Sequence, residues 1–176
     1  MRRRELLAGI GSVSVLGAAG AISLRGMPSF GDEDEEPVRS ISIETLDAPG
    51  SEAAQIELPS TEQPTFIDFF ATWCGPCERQ MPALSEANDR IGDEVLFISV
   101  TTEGLSDAEI AEWWEEHGGN WQVGRDPTTE LTAEHSPPGI PHAVAIDTSG
   151  VVRWSDSGEK TADELVSGIE HALDDE

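Results

Sequence analysis

One stretch limits what this chain can become more than any other: Phe66 to Ile91, FIDFFATWCGPCERQMPALSEANDRI. It opens on the apolar run Phe66-Ile67-Asp68-Phe69-Phe70, which reads as a strand buried on both faces. It breaks at Trp73-Cys74-Gly75-Pro76-Cys77. It resumes with Cys77, Met81, Leu84, Ala87 and Ile91 at spacings of four, three, three and four, the period of an amphipathic helix. The chain's two cysteines therefore fall at a strand-to-helix junction, Cys74 at the helix start and Cys77 one turn in. A separation of three residues puts both sulfurs on one helix face.

A thiolate at a helix N-terminus faces unsatisfied N–H groups and the positive end of the helix dipole. Both lower the pKa of a Cys-x-x-Cys thiol and make it a nucleophile. Cys74 is expected to be the exposed, attacking sulfur. Cys77, deeper in the helix, is expected to resolve the mixed disulfide and release the product. The same spacing also fits a zinc half-site or an inert disulfide. Structural zinc sites normally take four protein ligands, and this chain has no third cysteine. Its histidines, His117, His135, His142 and His171, show no ligand spacing, so no metal is expected.

The run Ala71-Thr72-Trp73-Cys74-Gly75-Pro76-Cys77 followed by Met81-Pro82-Ala83-Leu84 resembles the thioredoxin superfamily. It looks most like that superfamily's membrane-anchored, extracytoplasmic TlpA/ResA-type branch. Downstream, Gly139-Ile140-Pro141, then Val144 to Asp147 and Gly150 to Val152, resemble the family's cis-proline loop, strand and hairpin. The resemblance implies a thioredoxin-like α/β fold: a mixed, twisted central sheet flanked by helices on both faces, with an N-terminal β-hairpin. It implies a cis Ile140–Pro141 bond, although an X-Pro bond is cis in only about 5–6% of folded cases. It also sets Trp73, Gly75, Pro76 and Ile140 against the substrate, with the Ile140 backbone pairing a substrate strand. Asp68, six residues before Cys74, matches the thioredoxin carboxylate that exchanges a proton with the resolving cysteine. Many members of the TlpA/ResA branch carry a neutral residue there. A carboxyl buried in an apolar strand has a raised pKa; the alternative is that Asp68 points to a strand edge and water. His142 departs from the threonine common after the family's cis-proline, and either tunes the site or is a satisfied local group.

The chain carries 35 acidic residues against ten basic ones, a formal net charge of −25. Beyond residue 25 only Arg39, Arg79, Arg90, Arg125, Arg153 and Lys160 are basic. Such a chain repels nucleic acid, whose binding needs Lys/Arg patches. An acidic, lysine-poor surface is what a protein working in concentrated salt carries, where screening shortens to a few ångströms. A halophilic protein is expected; an ordinary acidic one is the alternative.

The start, MRRRELL, puts a positive region before an uncharged, Gly/Ala/Ser-rich segment through Leu24. This is the layout of an export signal, and Arg3-Arg4 resembles the twin-arginine motif. Residues 1–25 are read as that signal, cleaved near Ala19-Gly20-Ala21 or kept as a membrane anchor. Residues 26–38, with Asp32-Glu33-Asp34-Glu35-Glu36, are read as a solvated spacer, and 39–176 as the domain. Within the domain, strands are expected over 41–46, 54–58, 95–100 and 121–123, with a hairpin over 143–146 and 151–154. Capping boxes at Ser106 and Thr161 open helices, and Gly118-Gly119 closes the first. Pro82 should kink the helix that carries Cys77. A helical segment is expected to start at Asp126-Pro127 and run through Glu134. Trp113 and Trp114 are read as core packing alongside Ile110.

The expected function is thiol–disulfide exchange with protein substrates outside the cytoplasmic membrane, with a reducing direction. The expected site is Cys74, Cys77, Asp68 and Pro141. The domain is expected to be monomeric, to need no cofactor beyond its own dithiol, and to draw electrons from a membrane donor. The rival readings are a binding or chaperone module that uses the cysteines only structurally, and a thiol peroxidase.

Overall fold

The structure, a computed structural model, describes residues 36–174. The expected signal or anchor, and all of the spacer before Glu36, lie outside them. Seven strands and four helices follow in the order β1 (Ile41–Thr45), β2 (Gln55–Leu58), β3 (Thr65–Phe69), α1 (Gly75–Ile91), β4 (Leu96–Thr101), α2 (Asp107–Glu116), β5 (Gln122–Arg125), α3 (Glu130–His135), β6 (His142–Ile146), β7 (Val152–Ser157) and α4 (Ala162–Leu173). The strands form one mixed sheet in the order β2-β1-β5-β4-β3-β6-β7. β3-α1-β4 and β4-α2-β5 are parallel crossover units, while β1, β6 and β7 run antiparallel to their neighbours.

Strand β3 lies between β4 and β6 and is buried along its whole length. Its alternation splits the molecule into two layers of core. Phe66 and Phe70 face a cluster built with Cys77, Met81, Leu84 and Ala87 of α1, Ile110 and Trp114 of α2, and Leu165 and Ile169 of α4. Ile67 and Phe69 face the other cluster, with Ile41, Ile43, Ile98, Val100 and Leu131 of α3. Helices thus cover both faces, as the resemblance implies.

One local expectation, the start of α3, needs correction. The N-terminal hairpin forms as expected, and β1 also pairs with β5, so the hairpin extends the main sheet. The helical segment expected from Asp126 begins only at Glu130. Thr129 sits in the left-handed region at φ 59°, and the buried Asp126 carboxylate instead accepts the Thr132 N–H and hydroxyl, each at 2.8 Å. Trp114 is fully buried and Trp113 half-buried against the same cluster as Ile110, stacked between Phe70 and His117, as core packing requires. The capping boxes at Ser106 and Thr161 are both formed. Pro82 lies inside α1, and the helix continues past it to Ile91.

Candidate active site

Strand β3 ends at Phe69, in the interior of the sheet, and beyond its C-terminal end Ala71–Trp73 turns into α1. The turn is held from the side by Glu103, in the β4–α2 loop. Its carboxylate accepts the Thr72 N–H at 2.7 Å and the Thr72 hydroxyl at 2.9 Å. Cys74 is the N-cap of α1, and its sulfur accepts the Cys77 N–H at 3.2 Å. That is one of the donors a helix start leaves unpaired. Pro76 occupies the first turn, where its missing N–H costs nothing.

Cys74 and Cys77 are joined as a disulfide, with a Cα–Cα separation of 5.2 Å, inside the ordinary range. Their sulfurs hold each other, so neither serves as a thiolate ligand in this state. The expectation that Cys74 is exposed does not hold here: Cys74 is 5% exposed and Cys77 2%. The surface above them is formed by Trp73, Gly75 and Pro76, all exposed. Trp73, at 75% exposure, is the exposed large apolar side chain among the described residues.

The second wall is the loop before β6. The Ile140–Pro141 bond is cis. The Ile140 carbonyl lies 3.8 Å from Cys74 Sγ, and Ile140 is half-buried while Pro141 is buried. The β7–α4 connection braces this loop. Gly158, at φ +89°, donates its N–H to the Pro141 carbonyl at 2.8 Å. The His142 ring meets Ser157 Oγ at 2.7 Å through Nδ1 and Ser155 Oγ at 3.3 Å through Nε2. Burial holds its pKa below the usual histidine value. His142 is therefore a buried strand residue tied to β7, with its ring packed near Phe69.

Asp68 is 1% exposed, so the strand-edge alternative fails. It shares a face of β3 with Phe66 and Phe70 and points under α1. Its Oδ2 accepts the Ser99 hydroxyl at 3.1 Å, and its Oδ1 accepts Gln80 Nε2 at 3.4 Å. Gln80 is one helical turn beyond Cys77, on the same side of α1. Burial pushes the Asp68 carboxyl up to about 7, with the Ser99 hydrogen bond pulling the other way. Ser99, Gln80 and Trp121 belong to this site and were not singled out from the sequence. The available signals were a lone serine in the apolar strand VLFISV, and a glutamine three residues after Cys77. Among the described residues, no group of three or more His, Cys, Asp or Glu side chains is placed to hold a metal ion.

A strand, a buried carboxyl, a helix capped by the first of two cysteines and a facing cis-proline form one constellation. Residues 33–173 match the family model described as Redoxin. The chain belongs to the Redoxin family. Among curated relatives, it is 41% identical over 46 residues to "Thioredoxin Y, chloroplastic" of Oryza sativa subsp. japonica, covering 26% of this chain and 27% of that one. It is 25% identical over 115 residues to "Thiol-disulfide oxidoreductase ResA" of Bacillus thuringiensis (strain Al Hakam), covering 65% of this chain and 66% of that one. The match thus spans about a quarter of the first relative and just under two thirds of the second. Among solved structures, StoA from Bacillus subtilis superposes with a TM-score of 0.64 at 21% identity, covering 76% of this chain and 98% of that chain. That likeness shows the thioredoxin-like α/β fold that the sequence resemblance implies.

Proposed function

We propose that this Redoxin-family protein is a thiol–disulfide oxidoreductase that acts on protein disulfides outside the cytoplasmic membrane, as a reductant. One observation carries the reading: a Cys-Gly-Pro-Cys disulfide that caps a helix beneath the exposed Trp73, Gly75 and Pro76 and faces a cis-proline loop.

In the dithiol state, Cys74 is the thiolate, its charge met by the Cys77 N–H and the first turn of α1. It attacks a substrate disulfide. A Cys74–substrate disulfide forms and the other substrate sulfur leaves as a thiolate. Asp68 then takes the proton from the Cys77 thiol. The Cys77 thiolate attacks Cys74 Sγ, the Cys74–Cys77 disulfide closes, and the second substrate sulfur leaves. Two electrons pass from the dithiol to the substrate, so the reading calls for no further cofactor. Trp73, Gly75, Pro76 and the Ile140 backbone form the substrate seat, with the substrate chain pairing as an added strand. A membrane electron donor returns the dithiol, and the domain works as a monomer.

Reduction of insulin by dithiothreitol tests the activity. The wild-type domain should accelerate it and Cys74→Ser should not; equal rates for the two would remove the reading. Hydrogen peroxide consumption by the pure dithiol protein separates the peroxidase alternative. Export rests on the triple arginine and weakly apolar segment that follows it. Replacing Arg3 and Arg4 by lysine should leave the protein in the cytoplasm, and normal export of that variant would discard the twin-arginine route. The Cys77→Ser variant, which freezes the mixed disulfide, should capture the clients.

A further inference from the structure

The carboxyl of Asp68 touches two polar side chains, and each of these is itself held from behind. Ser99 Oγ accepts the indole N–H of Trp121 at 2.9 Å. An indole nitrogen only donates. Trp121 takes one of the two lone pairs of Ser99, and because an ionised carboxylate only accepts, the Ser99 hydroxyl meets Asp68 Oδ2, 3.1 Å away, as a donor. Gln80 Oε1 accepts the Lys160 backbone N–H at 2.8 Å. A backbone N–H also only donates, so the Gln80 amide is turned with its NH2 toward Asp68 Oδ1 at 3.4 Å. Gln80 and Ser99 are 1% and 0% exposed, and Trp121 is 3% exposed. Water does not compete easily for these groups.

We propose that Ser99 and Gln80 are positioning residues for the proton step, each turned donor-first onto one oxygen of Asp68, Ser99 by Trp121 and Gln80 by the Lys160 amide, so that together they hold the carboxyl ready to accept the Cys77 proton. The proposal rests on the proton role given to Asp68 above. A proton on Oδ2 displaces the Ser99 hydroxyl hydrogen from that oxygen and replaces a charge-assisted hydrogen bond with a weaker neutral one. A proton on Oδ1 sets an O–H against the Gln80 N–H2. Both donors therefore favour the carboxylate, and oppose the burial that favours the acid. The transfer is Cys77–SH plus Asp68–COO⁻ to Cys77–S⁻ plus Asp68–COOH, and no other reactant enters.

The groups around Asp68 are few. α1 presents Cys77 and Gln80 on this side, β4 presents Ser99, and behind Ser99 stands Trp121. β6 places Ala143 opposite Asp68. His142, the next position on β6, pairs with Phe69 and packs toward the other face. Among the described residues, no ion pair is made to Asp68. The titratable partner on this side of α1 is Cys77.

The test is a pair of variants that differ only by the hydroxyl, Ser99→Thr and Ser99→Val. Both add bulk at one buried position, so a packing cost is shared. The Asp68 carboxyl is titrated by carbon-13 NMR in the dithiol protein, and the release step is timed across pH. Ser99→Val should raise both midpoints by about one pH unit relative to Ser99→Thr, the tenfold effect expected of one lost hydrogen bond to a charged group. Gln80→Met should raise them by less, since its contact is longer. Placing Asp68→Asn beneath either Ser99 variant should abolish the difference between them. Coincident midpoints for Ser99→Thr and Ser99→Val overturn the proposal. If neither Ser99 variant folds, an unchanged midpoint in Gln80→Met overturns it instead. The underlying reading fails separately: Asp68→Asn alone should slow release by roughly 10²-fold, and unchanged release removes the proton role whatever the Ser99 variants do.

Discussion

Asp68 sits in the middle of the most buried strand of the molecule, and ionising it there is costly. Burial moves its pKa from 3.8 to about 7. Between these values the folded protein keeps a proton that the unfolded chain has already lost. Folding stability contributed by this group is therefore complete below about pH 4, falls as pH rises toward 7, and is flat above. The loss is roughly 4 kcal/mol at 1.36 kcal/mol per unit. His135, held down to about 4 by burial, acts in the opposite sense between about pH 4 and 6.5. The wild-type profile mixes the two; the difference between wild type and Asp68→Asn isolates the first. In the oxidised protein at fixed high salt, Asp68→Asn should be more stable than wild type by a few kcal/mol at pH 8, and nearly equal at pH 4. Urea unfolding at the two pH values reads this, and a wild type that is the more stable at pH 8 would contradict it. The carboxyl itself was legible in the sequence, as a charge in an apolar run. Its partners were not, because Ser99 and Gln80 become partners only through the β3–β4 register and the seating of α1 on that face. Sequence periodicity says which face a residue takes, and not what meets it there.

At the scale of elements, the junction from β3 to α1 does most of the work. Its strand, helix and cysteine positions were legible because period 2 gives way to period 3.6 within a few residues. The place of β1 beside β5 was not, since short alternating strands such as ISIET carry no signal of which edge they join. The start of α3 was misplaced for a related reason. Asp126-Pro127 looks like a helix start, but the Asp126 carboxylate reaches Thr132 and leaves the turn between them irregular. The junction also depends on Glu103, whose carboxylate holds Thr72 and also accepts the Thr101 hydroxyl at 3.1 Å. Glu103→Ala should cost about 1–3 kcal/mol, the range for stranding a part-buried donor, and should loosen Trp73. Urea unfolding and time-resolved tryptophan anisotropy check the two effects, and an unchanged stability would show that Glu103 is not a brace. The same junction carries a redox expectation. Cys-Gly-Pro-Cys at a helix start, with Asp68 behind it, should give a reduction potential nearer about −270 mV than about −120 mV. A glutathione titration measures it, and a value above roughly −150 mV would make the protein an oxidant.

At the scale of the whole molecule, charge decides. Each of the six basic side chains among the described residues is ion-paired: Arg39 with Glu134, Arg79 with Glu159, Arg90 with Asp163, Arg125 with Asp107, Arg153 with Asp147 and Lys160 with Asp156. Among the described residues the remaining carboxylates far outnumber these cations, and of them Glu86 shares one, Arg90 at 3.7 Å. Two effects compete as salt is withdrawn. The ion pairs strengthen, but exposed pairs contribute only about 0.2–1 kcal/mol each, and most of these have an exposed partner. The repulsion among the unpaired carboxylates strengthens as well. The Debye length grows from about 3 Å at 1 M to about 30 Å at 0.01 M, so each carboxylate then feels those across the whole domain. Repulsion should win. The melting temperature should fall on the order of 10 °C from molar to millimolar salt, the shift that about 3 kcal/mol produces in a domain of this size. Sodium and potassium chloride should act alike, because the effect is screening and not site binding. Circular dichroism melts across the salt series, on the oxidised protein at one pH, give the measurement. A melting temperature that holds constant, or rises as salt is removed, would show that the ion pairs outweigh the excess charge and that the acidic surface is no adaptation to salt.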